Sequence, residues 1–311
     1  MTKETLDLLH RSYQEAVTKS HNIIEIVQNL YDILSVKTVA NEDSQKFDSF
    51  LDGLQSCINY RLKTFEMTNL VTDITFVTMY IIIWLNQSKG MHIDINLNAR
   101  RKSLESDLTK LLVKSFSNSS TIIRDRFGLR GIILNSLPKE KAEKLLYEVS
   151  DYVIGIISHK NRKEYSNFIE WLDANLRVDS FTKERIKFIL SLPFKVECFK
   201  DFVSSPKENE YQSLHYTLTL EVYSKILPGA QVELQMRTYE MHKIAANGSA
   251  SHFYYKLESI DDMIQDVFKL DSFDDVNIIG FTGYDSVADD IDGVHFSKLL
   301  VNRRISSTLV C

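Results

Sequence analysis

In HNIIEIVQNLYDIL, apolar Ile23, Ile24, Val27, Leu30, Tyr31 and Leu34 recur at steps of three and four. That spacing is one face of an amphipathic helix, and residues 1–90 read as helical. The most apolar run, residues 74–85 (ITFVTMYIIIWL), falls short of the ~20 apolar residues a membrane span needs and predicts a buried core helix. Near residue 93 the character changes. A helix is expected over 101–115, a strand over 131–134, and a helix from Pro138 through AEKLLYEVSDYVIGII, where proline suits a first turn. Two β-rich runs follow, YQSLHYTLTLEVY and QVELQMRT, separated by a turn at Pro228 and Gly229, and a last helix starts near Tyr239. The expected fold class is α+β, a mixed and mainly antiparallel sheet flanked by helices, with a helical N-terminal region.

A composition of 44% hydrophobic and 25% charged residues is that of an ordinary globular chain. The three cysteines, Cys57, Cys198 and Cys311, have no metal-ligand or paired spacing. That argues against a zinc site and a disulfide framework, and for a cytoplasmic location. The N-terminus has no apolar signal core, and no membrane partner is expected. Charge is uneven. Residues 257–311 hold ten Asp and one Glu against two Lys and two Arg, a net of −7, while the whole chain is −5. The acidic excess therefore lies in the tail. There DDIDGVHF hints at a calcium loop, but Ala288 and Leu299 stand at its first and twelfth ligand positions, so a solvated acidic segment is expected. A sharper expectation is that Asp289, Asp290 and Asp292 mimic phosphates and dock on a basic cleft.

Four segments carry candidate chemistry. Lys102, Ser106 and Lys110 would share one face of a helix, a row that suits a polyphosphate or is simply a solvated face. Asp125 precedes an apolar strand and could hold Mg²⁺, with Arg130 placed to stack on a base; an Asp–Arg pair at a strand edge is the plainer alternative. Lys200 and Lys207 bracket a proline turn, and Asn209, Tyr211, Ser213 and His215 then alternate on what reads as one strand face, a plausible nucleobase platform. In QVELQMRT the polar Glu233, Gln235 and Arg237 share one face and Val232, Leu234 and Met236 the other. Glu233 could be a second metal carboxylate or a base.

Taken together, R-x-K-S-x-x-S-x-x-x-K, D-x-x-x-x-R, K-D-F…P-K-x-N-E-Y-Q-S-x-H and E-x-Q-x-R-T…M-H…G-x-A-x-H…Y-K resemble the synthetase domain of the RelA/SpoT homologue family over roughly residues 93–256. The resemblance implies a nucleotidyltransferase-like synthetase domain over 93–257, between a helical region over 1–92 and an acidic extension over 258–311. It implies transfer of the β,γ-pyrophosphate of ATP to the 3′-hydroxyl of GDP or GTP, leaving AMP. By motif position Arg100 and Arg130 would sandwich adenine, and Lys102, Ser106 and Lys110 would hold ATP phosphates. Asp125 and Glu233 would hold Mg²⁺, with Glu233 helping to deprotonate the acceptor. Tyr211 would stack on guanine, with Lys200, Lys207, Asn209, His215, Gln235 and Arg237 around it.

Two departures stand out. Glu210 replaces the family's usual Gly, and Ala246 its usual Glu. Residues 157–190 look like an insert, with Lys160, Arg162, Lys163, Arg177, Lys183, Arg185 and Lys187 against five acids. The His-Asp pair of the family's hydrolase domain is not found, so no alarmone hydrolysis is expected. Toxin members of the family pyrophosphorylate the 3′ end of tRNA, and the basic insert keeps tRNA open as acceptor. A catalytically silent nucleotide-binding regulator is a further alternative. An antitoxin protein and a homo-oligomer also stay open as partners.

Overall fold

The computed structural model describes residues 2–61, 64–102, 104–116, 126–175, 177–221, 229–247, 267 and 276–282. The elements run α1 (Lys3–Thr18), α2 (Ile23–Ser35), α3 (Ser44–Arg61), α4 (Thr64–Lys89), β1 (Ile95–Arg101), α5 (Leu104–Phe116), β2 (Phe127–Ile133) and α6 (Lys139–Ile157). They continue with α7 (Arg162–Ala174), α8 (Ser180–Leu190), β3 (Phe194–Asp201), β4 (Leu214–Leu220), β5 (Gln231–Thr238), α9 (Tyr239–Asn247) and β6 (Val276–Thr282). The strands form one six-stranded sheet in the order β3-β4-β5-β2-β1-β6. Only the β2–β5 pairing at its centre is parallel; the other four are antiparallel, so the mixed, mainly antiparallel α+β expectation holds.

The apolar pattern sorts these elements into two cores. The larger lies under one face of the sheet, where Leu97, Ala99, Leu129, Leu218, Val232, Leu234 and Met236 are at most 1% exposed. α4 is its central helix and packs on β1, β2, α6, α7 and α8. It is 26 residues long, not the short run expected, because the helix continues through polar Thr, Asn and Asp positions that the apolar count stopped at. Its length and composition would suffice to cross a membrane, but 83% of its apolar window is buried inside the protein, as a core helix requires. Trp84 meets Tyr152 and Phe168 edge-on at ring-centroid distances of 6.1 and 5.8 Å. Asp73 of α4 takes a bidentate hydrogen-bonded pair from Arg185 of α8 at 3.0 and 2.6 Å. Gly131 makes room for Met236, whose Sδ would lie 2.4 Å from any added Cβ.

The smaller core joins α1, α2, α3 and α5. Asn22 caps α2 by accepting from the Glu25 amide at 3.0 Å. Val27, Leu30 and Leu34 of α2 are fully buried, whereas Ile24 is 39% exposed, so the buried stripe is narrower than the apolar spacing suggests. Leu108, Leu111 and Leu112 of α5 complete this core, together with Val267 from the C-terminal segment. His10 of α1 meets the Val267 carbonyl through Nδ1 at 2.9 Å.

Three local expectations are corrected. Residues 95–101 are a strand, and α5 starts only at Leu104, because alternating Ile95, Leu97 and Ala99 are buried between half-buried Asn96, Asn98 and Arg100. Residues 209–213 precede β4 instead of belonging to it. The acidic extension is not uniformly solvated: Val267 is buried and residues 276–282 add a strand beside β1. The turn residue Pro228 and Asp289, Asp290 and Asp292 lie outside the described residues.

Candidate active site on the polar face of the sheet

The sheet's second face carries the polar halves of the strand alternations. In register across β3, β4, β5, β2 and β1 stand Lys200, His215, Gln235, Arg130 and Asn98. One pleat along, Thr217, Glu233, Gly128 and Arg100 form the next row. Lys200 reaches this face through a bulge. Phe194 and Val196 point to the core, and unbroken period-two alternation would send Lys200 there too. The register shift between Val196 and Cys198 absorbs one residue and turns Lys200 to the His215 side.

At the centre five side chains close a hydrogen-bonded ring. Glu233 Oε1 faces His215 Nδ1 at 3.0 Å. A carboxylate there fixes the imidazole proton on Nδ1, so Nε2 accepts from the Tyr211 hydroxyl at 2.9 Å. Arg237 Nη2 donates to that hydroxyl oxygen at 3.4 Å and to Gln235 Oε1 at 2.9 Å. Gln235 Nε2 donates to Glu233 Oε2 at 2.6 Å, which closes the ring. Arg100 Nη2 adds a donor to the same oxygen at 3.3 Å. Glu233 thus receives donors on both oxygens while remaining 14% exposed at its side chain. Burial pushes the His215 imidazole below its ordinary value; Glu233 opposes that shift, and Arg237 and Arg100 add to it. Arg237 is 3% exposed, and its Nε finds no acceptor among the described residues. A ligand oxygen would satisfy it.

Gly128 is the gap that lets Arg100 cross to Glu233. A Cβ at residue 128 would come within 2.7 Å of the Glu233 carbonyl oxygen and 3.7 Å of Arg100 Nε.

Beside the ring lies an aromatic and cationic cluster. The Phe202 ring meets Tyr211 and His215 edge-on at 6.0 and 5.3 Å. The Lys207 ammonium lies 4.7 Å from the Phe202 ring centre and 5.0 Å from that of Tyr211. Burial lowers the Lys207 pKa, the Lys200 charge lowers it further and Glu233 opposes. Asp201 builds the loop by accepting from the Val203 and Ser204 amides, each at 2.9 Å. Tyr147 of α6 anchors Asp201 at 2.9 and 3.0 Å, and burial with that carboxylate pushes the phenol up to about 12. Asn209 Oδ1 accepts from the Tyr211 amide at 3.3 Å. Between them Glu210 sits at φ +61°, the left-handed region that favours glycine.

The structure therefore gathers Arg100, Tyr211, His215, Glu233, Gln235 and Arg237 in one network, with Lys200, Lys207, Asn209 and Arg130 around it. Ser106 and Lys110 share a face of α5, but Lys102 precedes that helix, its backbone amide bonded to the Arg126 carbonyl at 2.8 Å. α5 is tied to the start of β2 by buried Asp107, which pairs with Arg126 Nε at 3.3 Å. Asp125 lies outside the described residues. Among those residues no group of three or more His, Cys, Asp or Glu could hold a metal. Mg²⁺ does not demand one, since it takes one or two carboxylates plus substrate phosphates, and Glu233 offers such oxygens. Sequence reasoning missed Gly128, Asp201, Phe202 and His242. His242 on α9 is pushed below its ordinary pKa by burial, then by Arg237 and Arg130, which places it within their field. Its signal was the Met-His pair already noted in the motif.

Among curated proteins, the chain is similar to a chloroplastic GTP diphosphokinase, CRSH1, of Oryza sativa subsp. japonica, 49% identical over 57 residues, 18% of this chain and 9% of that protein. It is also similar to a GTP pyrophosphokinase of Streptomyces coelicolor, 48% identical over 63 residues, 20% of this chain and 7% of that one. The matched stretches thus span under a tenth of these relatives' length. Among solved structures, small alarmone synthetase 2 of Bacillus subtilis matches with 22% identity and a TM-score of 0.31, covering 60% of this chain and 77% of that one. The family model described as the region found in RelA / SpoT proteins matches residues 99–260, more than half of the chain and the whole of the polar network above, and the chain belongs to that family.

Proposed function

We propose that the protein is a pyrophosphokinase that moves the β,γ-pyrophosphate of ATP to the 3′-hydroxyl of GDP or GTP, yielding AMP. The observation that carries this is the ring around Glu233, in which a carboxylate, an imidazole, a phenol and a guanidinium converge beside Arg100 and Lys207. Phosphoryl-type transfer needs positioning and charge neutralisation, not a covalent nucleophile. Glu233 is the proton acceptor for the 3′-hydroxyl, held in orientation by His215 Nδ1–H and the Gln235 amide. Tyr211 supplies the ring on which guanine stacks, with Phe202 bracing it. Lys200, Lys207 and Arg237 take acceptor phosphate oxygens, and Ser106 and Lys110 take donor phosphates. Lys102 adds charge from the turn before α5. Glu233, with Asp125, would hold Mg²⁺, which supplies neutralisation of phosphate charge when bound.

The alternative acceptor, tRNA, draws on the basic insert. That insert is the helix pair α7 and α8, packed on α4. Arg185 is engaged by Asp73, Lys187 pairs with Asp173 at 2.6 Å, and Lys183 donates to the Asp173 carbonyl at 3.1 Å. Three of its seven cations therefore serve helix packing, which weakens the case for an RNA-binding face and favours the guanine nucleotide. The test is purified protein with Mg²⁺ and γ-labelled ATP, offered GDP, GTP or deacylated tRNA, with Glu233→Gln as control. Label on guanine nucleotide supports the proposal. Label on tRNA alone replaces it with the toxin reading. Label on none, with no AMP released, leaves a nucleotide-binding regulator.

A further inference from the structure

β1 and β2 set four residues in a two-by-two block on the polar face. Asn98 pairs directly with Arg130, and Arg100 pairs directly with Gly128. The two arginines thus occupy one diagonal, and neighbours so related lie ~7–8 Å apart. That separation is within reach of long side chains, so both guanidinium groups can meet one base lying on this face. Gly128 adds no side chain at its corner, so Arg100 lies over it, its Nε 3.7 Å from where a Cβ would be. The remaining corner is Asn98, half-buried on the strand face between the two arginines. Its Nδ2 donates to Asn96 Oδ1, which sets the orientation of the carboxamide; among the described residues Oδ1 and the second N–H have no further partner and could meet a ligand. An amide presenting one acceptor and one donor matches adenine, whose amino donor adjoins a ring-nitrogen acceptor. It mismatches guanine, which shows two acceptors, O6 and N7, at the equivalent edge.

We propose that Asn98 is the specificity-determining residue for the donor nucleotide, its carboxamide reading the edge of an adenine held between Arg100 and Arg130. This rests on the reading of ATP as pyrophosphate donor. The experiment compares γ-labelled ATP and γ-labelled GTP as donors, at fixed GDP, in wild type, Asn98→Ala, Asn98→Ser and Asn98→Asp. The readout is the ratio of kcat/KM for the two donors, from which a general loss of folding or activity cancels. The wild type should favour ATP, and Ala or Ser should reduce the ratio by about 10-fold, the scale of one bidentate base contact. Asp, which only accepts, keeps a bond from the adenine amino group but meets O6 and N7 of guanine with two further acceptors, so it should not move the ratio toward GTP as Ala and Ser do. An unchanged ratio in all three variants overturns the proposal. Equilibrium dialysis with non-hydrolysable ATP and GTP analogues separates the two readings. Adenine preference that depends on Asn98 without any transfer keeps Asn98 as the base reader and removes the kinase reading. Transfer with an Asn98-independent ratio does the reverse, and binding of neither analogue removes both.

Discussion

Glu233 is the residue on which most of the site converges: two ring neighbours and Arg100 all point donors at its carboxylate. Glu233→Gln keeps the shape and replaces an acceptor oxygen with a donor. A steady-state assay should show kcat down at least ~100-fold, the scale for removing one electrostatic stabiliser, and a fall under threefold would exclude it as the proton acceptor. His215 carries a pH signature. Its pKa in the folded protein is lowered from 6.5, so below that value the unfolded chain binds a proton that the folded one resists. The stability it contributes is present above pH ~6.5 and is lost as pH falls toward the lower folded value. Thermal melting between pH ~7.5 and ~5.5 should therefore lose more midpoint in the wild type than in His215→Gln. Equal slopes would show that the ring does not hold His215 neutral. Glu210 combines a left-handed backbone with a negative charge beside Lys207 and Tyr211. Replacing it with Gly keeps that backbone without its steric cost and removes the charge, and KM for the anionic acceptor should fall at low salt; a KM that rises would mean the carboxylate is used in binding.

At the scale of elements, legibility followed locality. β5 and its two faces could be read because strict alternation survives from Gln231 to Met236, and α6 because a proline start and a long apolar stripe agree. β1 was missed and its last residue, Arg101, taken into the following helix, since Lys102, Ser106 and Lys110 keep helical spacing while the strand's own alternation is Asn against Ile, Leu and Ala. β3 escaped because its bulge breaks the period at the point where Lys200 must change sides. The ring itself was legible as residue types but not as a closed circuit, which depends on register between β4 and β5. β6 had no local signal at all: its partner, β1, lies some 180 residues earlier in the chain. This strand changes how the tail must be tested. Removing residues 258–311 strips Val267 from the helical core and bares the β1 edge, so melting temperature should drop and aggregation rise. Removing only 283–311 spares both and isolates the aspartates. Activity above wild type in that shorter deletion would support phosphate mimicry by the tail, and unchanged activity would dismiss it.

The proposed donor site draws its residues from elements of both cores. Arg100, Asn98 and Arg130 stand on the sheet, while Ser106 and Lys110 stand on α5, whose leucines are buried with α1–α3. A cavity in the smaller core should therefore be felt at the nucleotide. Leu30 is fully buried there, and Leu30→Ala should cost ~2–5 kcal/mol of stability. If α5 loosens with it, KM for ATP rises more than KM for the acceptor, whose contacts lie on β3, β4, β5 and the loop between β3 and β4. Equal changes in both would show that the α5 seat does not depend on its helical neighbours.

An ATP that lays its base on one core and its phosphates on the other is also a fastener between them. Occupancy then becomes a structural variable, for at 100 times Kd a ligand adds ~2.7 kcal/mol to folding. Nucleotide supply would set how long the protein survives proteolysis as well as how fast it works, so that a chain deprived of ATP would be both idle and short-lived.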